Sequence, residues 1–158
     1  MTETTADDLV ISPSAREAIA HKKLETLTVG DLMRAPVKVA RVNDDLRHVH
    51  AMMSMGGYRH VPIVDATGKL CGVVSDRDVH LAWKQGQDVE VATFMRRGIE
   101  YVHPSAAAHE AAARMIAGKI GCLPVLDDDK SVVGIITSTD FLLVAHRALT
   151  IQRFLAES

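Results

Sequence analysis

The sequence predicts an α+β fold made of two copies of a β-α-β-β-α unit. Two observations predict it: a gapless internal repeat, and the same order of apolar strands and helices in both copies. A shift of 62 residues aligns the chain with itself from Leu32 to Val79 without an insertion. Identical pairs at this spacing include Met33–Arg34 with Met95–Arg96, Ala51 with Ala113, Met53 with Met115, Gly56 with Gly118, Pro62 with Pro124, Asp65 with Asp127, Gly72 with Gly134 and Asp78 with Asp140.

The first copy opens with an extended segment, expected over residues 37–42 and followed by a helix. Asn43 or Asp44 is suited to cap this helix, because short polar side chains accept hydrogen bonds from the first free amides. Gly56–Gly57 is suited to end it after about Met55, because glycine adopts the left-handed conformation of a helix C-terminus.

The second copy opens with a shorter extended segment, residues 99–102. Ser105 is expected to cap an alanine-rich helix that ends near Gly118. Both copies continue with a hairpin: strands 61–64 and 70–74 around a turn at 65–68 in the first, and strands 123–126 and 132–136 around a turn at 127–130 in the second.

A helix closes each copy and begins at a hydroxyl residue, Ser75 in the first and Thr137 in the second. The first is expected to reach about Gln85, and the last runs from Ser138 towards Arg153. The expected boundaries are an N-terminal arm and short helix over 1–26, a first repeat over 27–88, a second repeat over 89–150 and a helix end over 151–158.

The short helix before the repeats has two possible starts. Ser12 can cap it with Pro13 in the first turn, or Ser14 and Glu17 can form a capping box. In either case a helix to about Leu24 is expected, and residues 1–11 are expected to form an arm or to be disordered.

The composition of the chain argues against two classes of function. Apolar residues make up 47% of the chain, charged residues 24%, aromatic residues 4%, and the formal net charge is −2. This balance argues against a strongly basic nucleic-acid binder and against a polybasic membrane anchor. With no secretory signal and no long apolar run, the expected location is the reducing cytoplasm. Cys71 and Cys122 cannot form a zinc site by themselves, while counting leaves a single disulfide open.

The strongest local signal lies where the second strand of each hairpin meets the closing helix. We name these segments the first junction (residues 72–78) and the second junction (residues 134–140). In each, a hydroxyl residue precedes an aspartate by three positions, Ser75 before Asp78 and Thr137 before Asp140. This spacing fits a capping box, which is a purely structural role. It also fits a nucleotide site, where free amides bind phosphate and the carboxylate accepts hydrogen bonds from ribose hydroxyls.

The two copies resemble a tandem pair of CBS domains, named for cystathionine β-synthase and also termed a Bateman module. The resemblance covers about Leu27 to Leu149. It rests on the full set of motifs occurring twice in the same order. These are Asp31-Leu32-Met33 and Thr93-Phe94-Met95, the strands Val61-Pro62-Ile63-Val64-Asp65 and Leu123-Pro124-Val125-Leu126-Asp127, and the two junctions.

The resemblance implies two repeats packed through their sheets about a pseudo-twofold axis, with two clefts. In nucleotide-binding members the junction aspartate holds the ribose, the hydroxyl residue and its neighbours face phosphate, and apolar residues enclose adenine. Carried onto this sequence, the first cleft comprises Asp78, Ser75 and Arg77 with walls Val37, Val39, Tyr58, His60, Val61 and Pro62. The second comprises Asp140, Thr137 and Thr139 with walls Ile99, Tyr101, Ile120, Cys122, Leu123 and Pro124.

The two clefts carry different charge. Arg77 can pair with phosphate, whereas its counterpart Thr139 cannot. Lys38 and Arg59 add charge near the first cleft, where the second repeat has Glu100 and Gly121, and Arg96–Arg97 is a further source. The first cleft is therefore expected to take the charged nucleotide.

No metal ligand pattern, P-loop or nucleophile–base pair is recognisable, so neither a metal site nor catalysis is expected. The chain resembles a small stand-alone CBS pair that senses AMP, ADP or ATP as a regulatory ligand and needs no cofactor. A twofold homodimer and an unidentified regulated protein are the expected partners, without nucleic acid or membrane. The alternatives are an interaction or scaffold module with vestigial clefts, and a sensor of S-adenosylmethionine or NADH.

Overall fold

The computed structural model describes residues 13–86 and 88–157. The β-α-β-β-α order is confirmed, although the first strand of the second copy is reduced to one parallel bridge, Val102 to Val125. The proposed arm over residues 1–11 and the capping role of Ser12 lie outside the described residues. The elements are α1 (Pro13–His21), α2 (Val29–Leu32), β1 (Ala40–Arg41), α3 (Leu46–Gly56), β2 (His60–Val64), β3 (Leu70–Ser75), α4 (Asp76–Trp83), α5 (Ala108–Gly118), β4 (Cys122–Leu126), β5 (Val132–Thr137) and α6 (Ser138–Ala156), with short 3-10 turns at Leu24–Thr26 and Val91–Thr93.

Two small sheets carry the junctions. In the first, β1 runs parallel to β2 with Ala40 opposite Ile63, and β2 runs antiparallel to β3 with Val61 opposite Val74. In the second, β4 pairs with β5. Within residues 37–42, only Ala40–Arg41 forms a strand, so the opening segment is shorter than expected. In each sheet, the last strand leads directly into a junction.

The helices that follow the opening segments begin later than the sequence suggests. Asp45 caps α3, and its carboxylate accepts a 2.8 Å hydrogen bond from the His48 amide. The expectation that Ser105 caps α5 is wrong, because Ala107 is the N-cap and has no side-chain cap bond. Residues 104–106 form a turn, in which the Ala106 amide donates to the His103 carbonyl at 3.0 Å, and Ala107 then forms an antiparallel bridge with Thr28. Tertiary pairing therefore decides where this helix starts.

The C-terminal ends of α3 and α5 agree with expectation. Gly57 terminates α3 in the left-handed conformation, with φ of 67°. Lys119, just after Gly118, takes the same conformation at the end of α5, with φ of 51°. Helices α1 and α4 end earlier than expected, at His21 and Trp83.

The described chain forms two compact units. The Asp78 unit contains residues 36–101 and 126–133, and the Asp140 unit contains residues 13–35, 102–125 and 134–157. We name residues 31–34 and 93–96 the opening motifs of the two repeats. Each opening motif belongs to the unit that holds the other repeat's junction. The core of the Asp78 unit consists of Ala40, Leu46, Val49, Met53, Val61, Ile63, Val74, Val79, Ala82, Val91 and Met95.

Candidate functional site

The first junction forms a capping box at the start of α4. The Asp78 amide donates to Ser75 Oγ at 3.1 Å, and Asp78 Oδ2 accepts from the Ser75 amide at 2.9 Å and from Ser75 Oγ at 2.8 Å. The Asp78 side chain is 13% exposed. Two donors therefore occupy Oδ2, and the cap makes no use of the other carboxylate oxygen.

The second junction repeats this arrangement at the start of α6. Asp140 Oδ2 accepts from the Thr137 amide at 2.7 Å and from Thr137 Oγ1 at 3.2 Å. Burial raises the pKa of the Asp140 carboxyl above its ordinary value, although the Thr137 hydrogen bonds and the nearby Arg34 charge act to lower it. With 1% of its side chain exposed, Asp140 is the more buried of the two junction aspartates.

The capping role expected for both junctions is confirmed, and it is compatible with a ligand role. A carboxylate offers about four acceptor positions, and the cap occupies the two on Oδ2. The cap does not use Oδ1 in either aspartate, although Asp78 Oδ1 accepts a 3.4 Å hydrogen bond from Arg96 Nη2. Vicinal hydroxyls of a ribose require acceptors of this kind, so the capping box fixes the carboxylate while leaving one oxygen for recognition.

An arginine lies opposite each unused oxygen. Arg96 Nη2 lies 3.4 Å from Asp78 Oδ1 in the Asp78 unit. Arg34 Nε lies 3.9 Å from Asp140 Oδ1 in the Asp140 unit, which is beyond hydrogen-bond reach. The 62-residue shift aligns Arg34 with Arg96, so the two pairs are equivalent.

Backbone pairing brings these arginines to the junctions. The Arg96 amide donates to the Val73 carbonyl at 2.9 Å, and the Arg34 amide donates to the Ile135 carbonyl at 2.9 Å. Gly72 is needed for this approach, because a Cβ there would lie 2.5 Å from the Arg96 carbonyl oxygen. The backbone that comes close to this glycine belongs to the other repeat of the same chain.

The residues predicted for the first cleft all belong to the Asp78 unit. His60 pairs with Ser75 across β2 and β3, which places the start of β2 beside the junction. Because β1 runs parallel to β2, Val37 and Val39 precede β1 towards that same end. Val61 and Pro62 are buried, and Val61 is part of the core.

His60 is the most unusual titratable group near the first junction. Burial lowers its pKa below the ordinary value of 6.5, against the opposing effect of Asp76 and Asp78. Its Nδ1 is buried and has no hydrogen-bond partner in the described part of the chain. The side chain therefore sits at the edge of the core with one unsatisfied nitrogen.

A pocket of about 700 Å³ lies between α3 and α4 in the same unit. Tyr58 and Arg77 of the predicted set line it. The ring of Tyr58 fits only because residue 56 is glycine, since a Cβ there would lie 2.0 Å from Tyr58 Cε2. Sequence reasoning missed the remaining lining residues, which are His50, Met53, Ser54, Asp76, Val79, His80 and Trp83.

The residues predicted for the second cleft are divided between the units. Ile99 and Tyr101 lie in the Asp78 unit, where both line a pocket of about 320 Å³ and Lys130 Nζ lies 3.2 Å from Tyr101 Oη. The other members lie in the Asp140 unit, namely Asp140, Thr137, Thr139, Ile120, Cys122, Leu123 and Pro124.

Positive charge is concentrated at the first junction, as expected. Arg59 and Arg77 are exposed, and the Asp76 amide donates to the Arg59 carbonyl at 2.8 Å. Arg97 is engaged elsewhere, since its Nη2 donates to the Ala92 carbonyl at 3.2 Å. Sequence reasoning named Arg96 as a charge source but missed Arg34, although the repeat alignment pairs the two.

The described ranges contain neither a disulfide nor a metal-binding cluster. Cys71 and Cys122 are not joined, so the disulfide that counting left open does not form. Within residues 13–86 and 88–157, no three histidine, cysteine or acidic side chains converge to hold a metal ion. In the same ranges no helix has the length and apolar character needed to cross a membrane.

Comparison with known proteins agrees with this architecture. L-aspartate semialdehyde sulfurtransferase of Methanocaldococcus jannaschii is 30% identical over 112 residues, which are 71% of this chain and 22% of that protein. The chain thus spans less than a quarter of this relative's length.

Two solved structures have the same fold. The CBS domain pair crystallised with 5′-methylthioadenosine and S-adenosyl-L-methionine has a TM-score of 0.72 and 28% identity, covering 77% of this chain and 97% of that one. The structure of CBSX2 in complex with AMP has a TM-score of 0.65 and 26% identity, covering 79% of this chain and 98% of that one.

The CBS domain pattern itself matches the chain twice, at residues 29–83 and 90–147. These matches include both opening motifs, both hairpins and both junctions. The chain belongs to the CBS domain family and contains a tandem pair of these domains.

Proposed function

We propose that this CBS pair is a regulatory module that binds an adenosine-containing nucleotide, AMP, ADP or ATP, at the first junction. The observation that carries the proposal is that the two oxygens of the Asp78 carboxylate have different partners. Oδ2 is held by Ser75, while Oδ1 lies 3.4 Å from the exposed Arg96 side chain. The family's structures with AMP and with S-adenosylmethionine support an adenosine ligand.

Each part of the nucleotide has a proposed partner. Asp78 Oδ1 accepts hydrogen bonds from the ribose hydroxyls. Ser75 and Arg77 face phosphate, where the exposed guanidinium of Arg77 supplies charge. The adenine is enclosed by Tyr58 and His60, together with Val37, Val39, Val61 and Pro62.

The second junction offers the same acceptor without the same charge. Asp140 and Thr137 occupy the places of Asp78 and Ser75, and Thr139 takes the place of Arg77. We assign Ile120, Cys122, Leu123 and Pro124 to the second junction, where the lack of an arginine at position 139 disfavours a charged nucleotide.

The output of binding is regulatory rather than catalytic. A ligand that prefers one conformation shifts the population towards it, and a partner protein reads that shift. We place this module in the cytoplasm, acting as a homodimer or on a regulated protein.

One observation favours the interaction module as a second candidate. Large apolar side chains are exposed on the helices, including Met55 at 89%, Ile116 at 78% and Leu142 at 68%. Where such side chains form a large contiguous patch, they mark a protein contact. Under this hypothesis the junctions are caps alone. Binding of S-adenosylmethionine or NADH is the other alternative, since the same carboxylate suits any ribose.

Thermal unfolding of the nucleotide-free protein tests the proposal. AMP, ADP, ATP, S-adenosylmethionine and NADH are each added at about 1 mM. A ligand at about 100 times its dissociation constant stabilises the folded state by roughly 2.7 kcal/mol, which raises the midpoint by several degrees.

Two variants locate any such effect. Asp78→Ala is expected to lose the ligand-dependent shift, whereas Asp45→Asn, which alters the cap of α3, is expected to keep it. If none of the five ligands shifts the midpoint of the wild type, the interaction module is the better account.

A further inference from the structure

The arginine opposite each junction aspartate faces the one oxygen that a ribose would use. Arg96 approaches Asp78 Oδ1 to 3.4 Å, and Arg34 approaches Asp140 Oδ1 to 3.9 Å. In both aspartates the capping box engages Oδ2. A ligand hydroxyl and the guanidinium therefore compete for the same acceptor at each junction.

The two pairs differ in burial. The side chains of Arg96 and Asp78 are 60% and 13% exposed, whereas those of Arg34 and Asp140 are 20% and 1% exposed. Arg34 Nε and Asp140 Oδ1 are both buried, and neither has a hydrogen-bond partner in the part of the chain that the structure describes. At the second junction the facing atoms are therefore buried, although the Arg34 side chain as a whole stays 20% exposed.

This difference changes what a ligand must do. An exposed ion pair is weak, so a diol can displace Arg96 and leave its guanidinium hydrated. Breaking the pair at the second junction leaves the Asp140 carboxylate buried without a counter-ion. Displacing Arg34 is therefore far more costly than displacing Arg96.

Building on the proposed function, we propose that Arg34 is a specificity-determining residue that keeps the Asp140 carboxylate unavailable to a ribose. The chain then takes up one adenosine ligand, at Asp78, although it carries two copies of the recognition motif. Arg34 acts through Asp140 and does not touch the ligand.

Isothermal titration of the full, nucleotide-free chain with AMP tests this assignment. The wild type is expected to bind one AMP per chain. Arg34→Met is expected to bind two, because Asp140 Oδ1 loses its counter-ion and the ribose hydroxyls become its donors. The matched control, Arg96→Met at the equivalent position, is expected to bind one.

A double variant identifies the new site. Asp78→Asn alone is expected to bind no AMP, whereas Arg34→Met with Asp78→Asn is expected to bind one, at Asp140. A folded double variant that binds none would overturn the role of Arg34. Far-UV circular dichroism checks the fold of every variant.

Two outcomes separate this inference from the function it rests on. No binding of AMP to the wild type overturns the proposed function, whereas two AMP per wild-type chain overturns only the role of Arg34. If Arg34→Met does not fold, Asp140→Asn decides the question. Unchanged stoichiometry supports the inference, and loss of one of two bound AMP molecules contradicts it.

Discussion

Arg34 Nε lies 3.9 Å from Asp140 Oδ1 inside the Asp140 unit, and the two residues come from different repeats. The equivalent pair, Arg96 with Asp78, also joins an opening motif to the junction of the other repeat, at 3.4 Å. Each junction aspartate thus faces an arginine from the other copy. Both copies are needed to form either pair.

The unequal burial of these pairs predicts unequal costs of removing the aspartates. Asp140→Ala is expected to destabilise the protein by up to about 3–5 kcal/mol, because it leaves the partly buried Arg34 guanidinium without its counter-ion. Asp78→Ala is expected to cost about 1 kcal/mol, the typical value for losing a helix cap. Urea unfolding of both variants measures the difference, and equal losses would show that burial of the second pair is energetically unimportant.

The junction glycines are predicted to be intolerant of a methyl group. In Gly134→Ala the Cβ would lie 2.7 Å from Met33 Sδ and 2.8 Å from the Arg34 carbonyl oxygen. Overpacking of this kind typically costs about 1–3 kcal/mol. The loss is measured by urea unfolding.

A second substitution separates the two contacts that a Cβ at residue 134 would make. Adding Met33→Ala to Gly134→Ala is expected to relieve only the sulfur contact, because the carbonyl is fixed by its pairing with Ile135. Full stability of Gly134→Ala by itself would mean that the opening motif can move away from β5 at little cost.

Acidification is predicted to weaken the fold through His60. Its pKa is lowered in the folded state by burial, so below its ordinary value of 6.5 the unfolded chain binds a proton that the folded chain does not. The free energy of unfolding therefore falls as the pH drops from 6.5 towards the folded pKa.

Urea unfolding at neutral pH and at about pH 5.5, one unit below the ordinary histidine value, measures this effect. His60→Gln is expected to reduce the loss, while His109→Gln, at an exposed position on α5, is expected to leave it unchanged. The same loss in His60→Gln as in the wild type would assign the pH dependence to other groups.

Local signals in the sequence predict much of this architecture. The turn residues, the apolar strands and the Ser75–Asp78 spacing each fix short-range structure, and the capping boxes form as that spacing indicates. Pairing between residues that are far apart in the sequence is harder to predict. Ser105 has the right residue type for a cap, yet the bridge between Thr28 and Ala107 moves the helix start beyond it.

The pairing of each opening motif with the other repeat's junction is also a long-range feature that local patterns do not predict. Arg34 is 106 positions before Asp140, since 140 minus 34 is 106, and no local pattern links them. The repeat alignment of Arg34 with Arg96 is the signal that could have identified both. Their different exposure follows from packing around each pair, which the repeat alone does not determine.

Direct titration of AMP into nucleotide-free wild type and Asp78→Asn tests the central claim most directly. The account predicts saturable binding to the wild type and its loss in Asp78→Asn, while the circular dichroism spectrum stays unchanged. Asp45→Asn, which removes the same charge from the cap of α3, is predicted to bind AMP as the wild type does. Equal binding of AMP to wild type and folded Asp78→Asn would contradict the assignment of the ribose to the first junction.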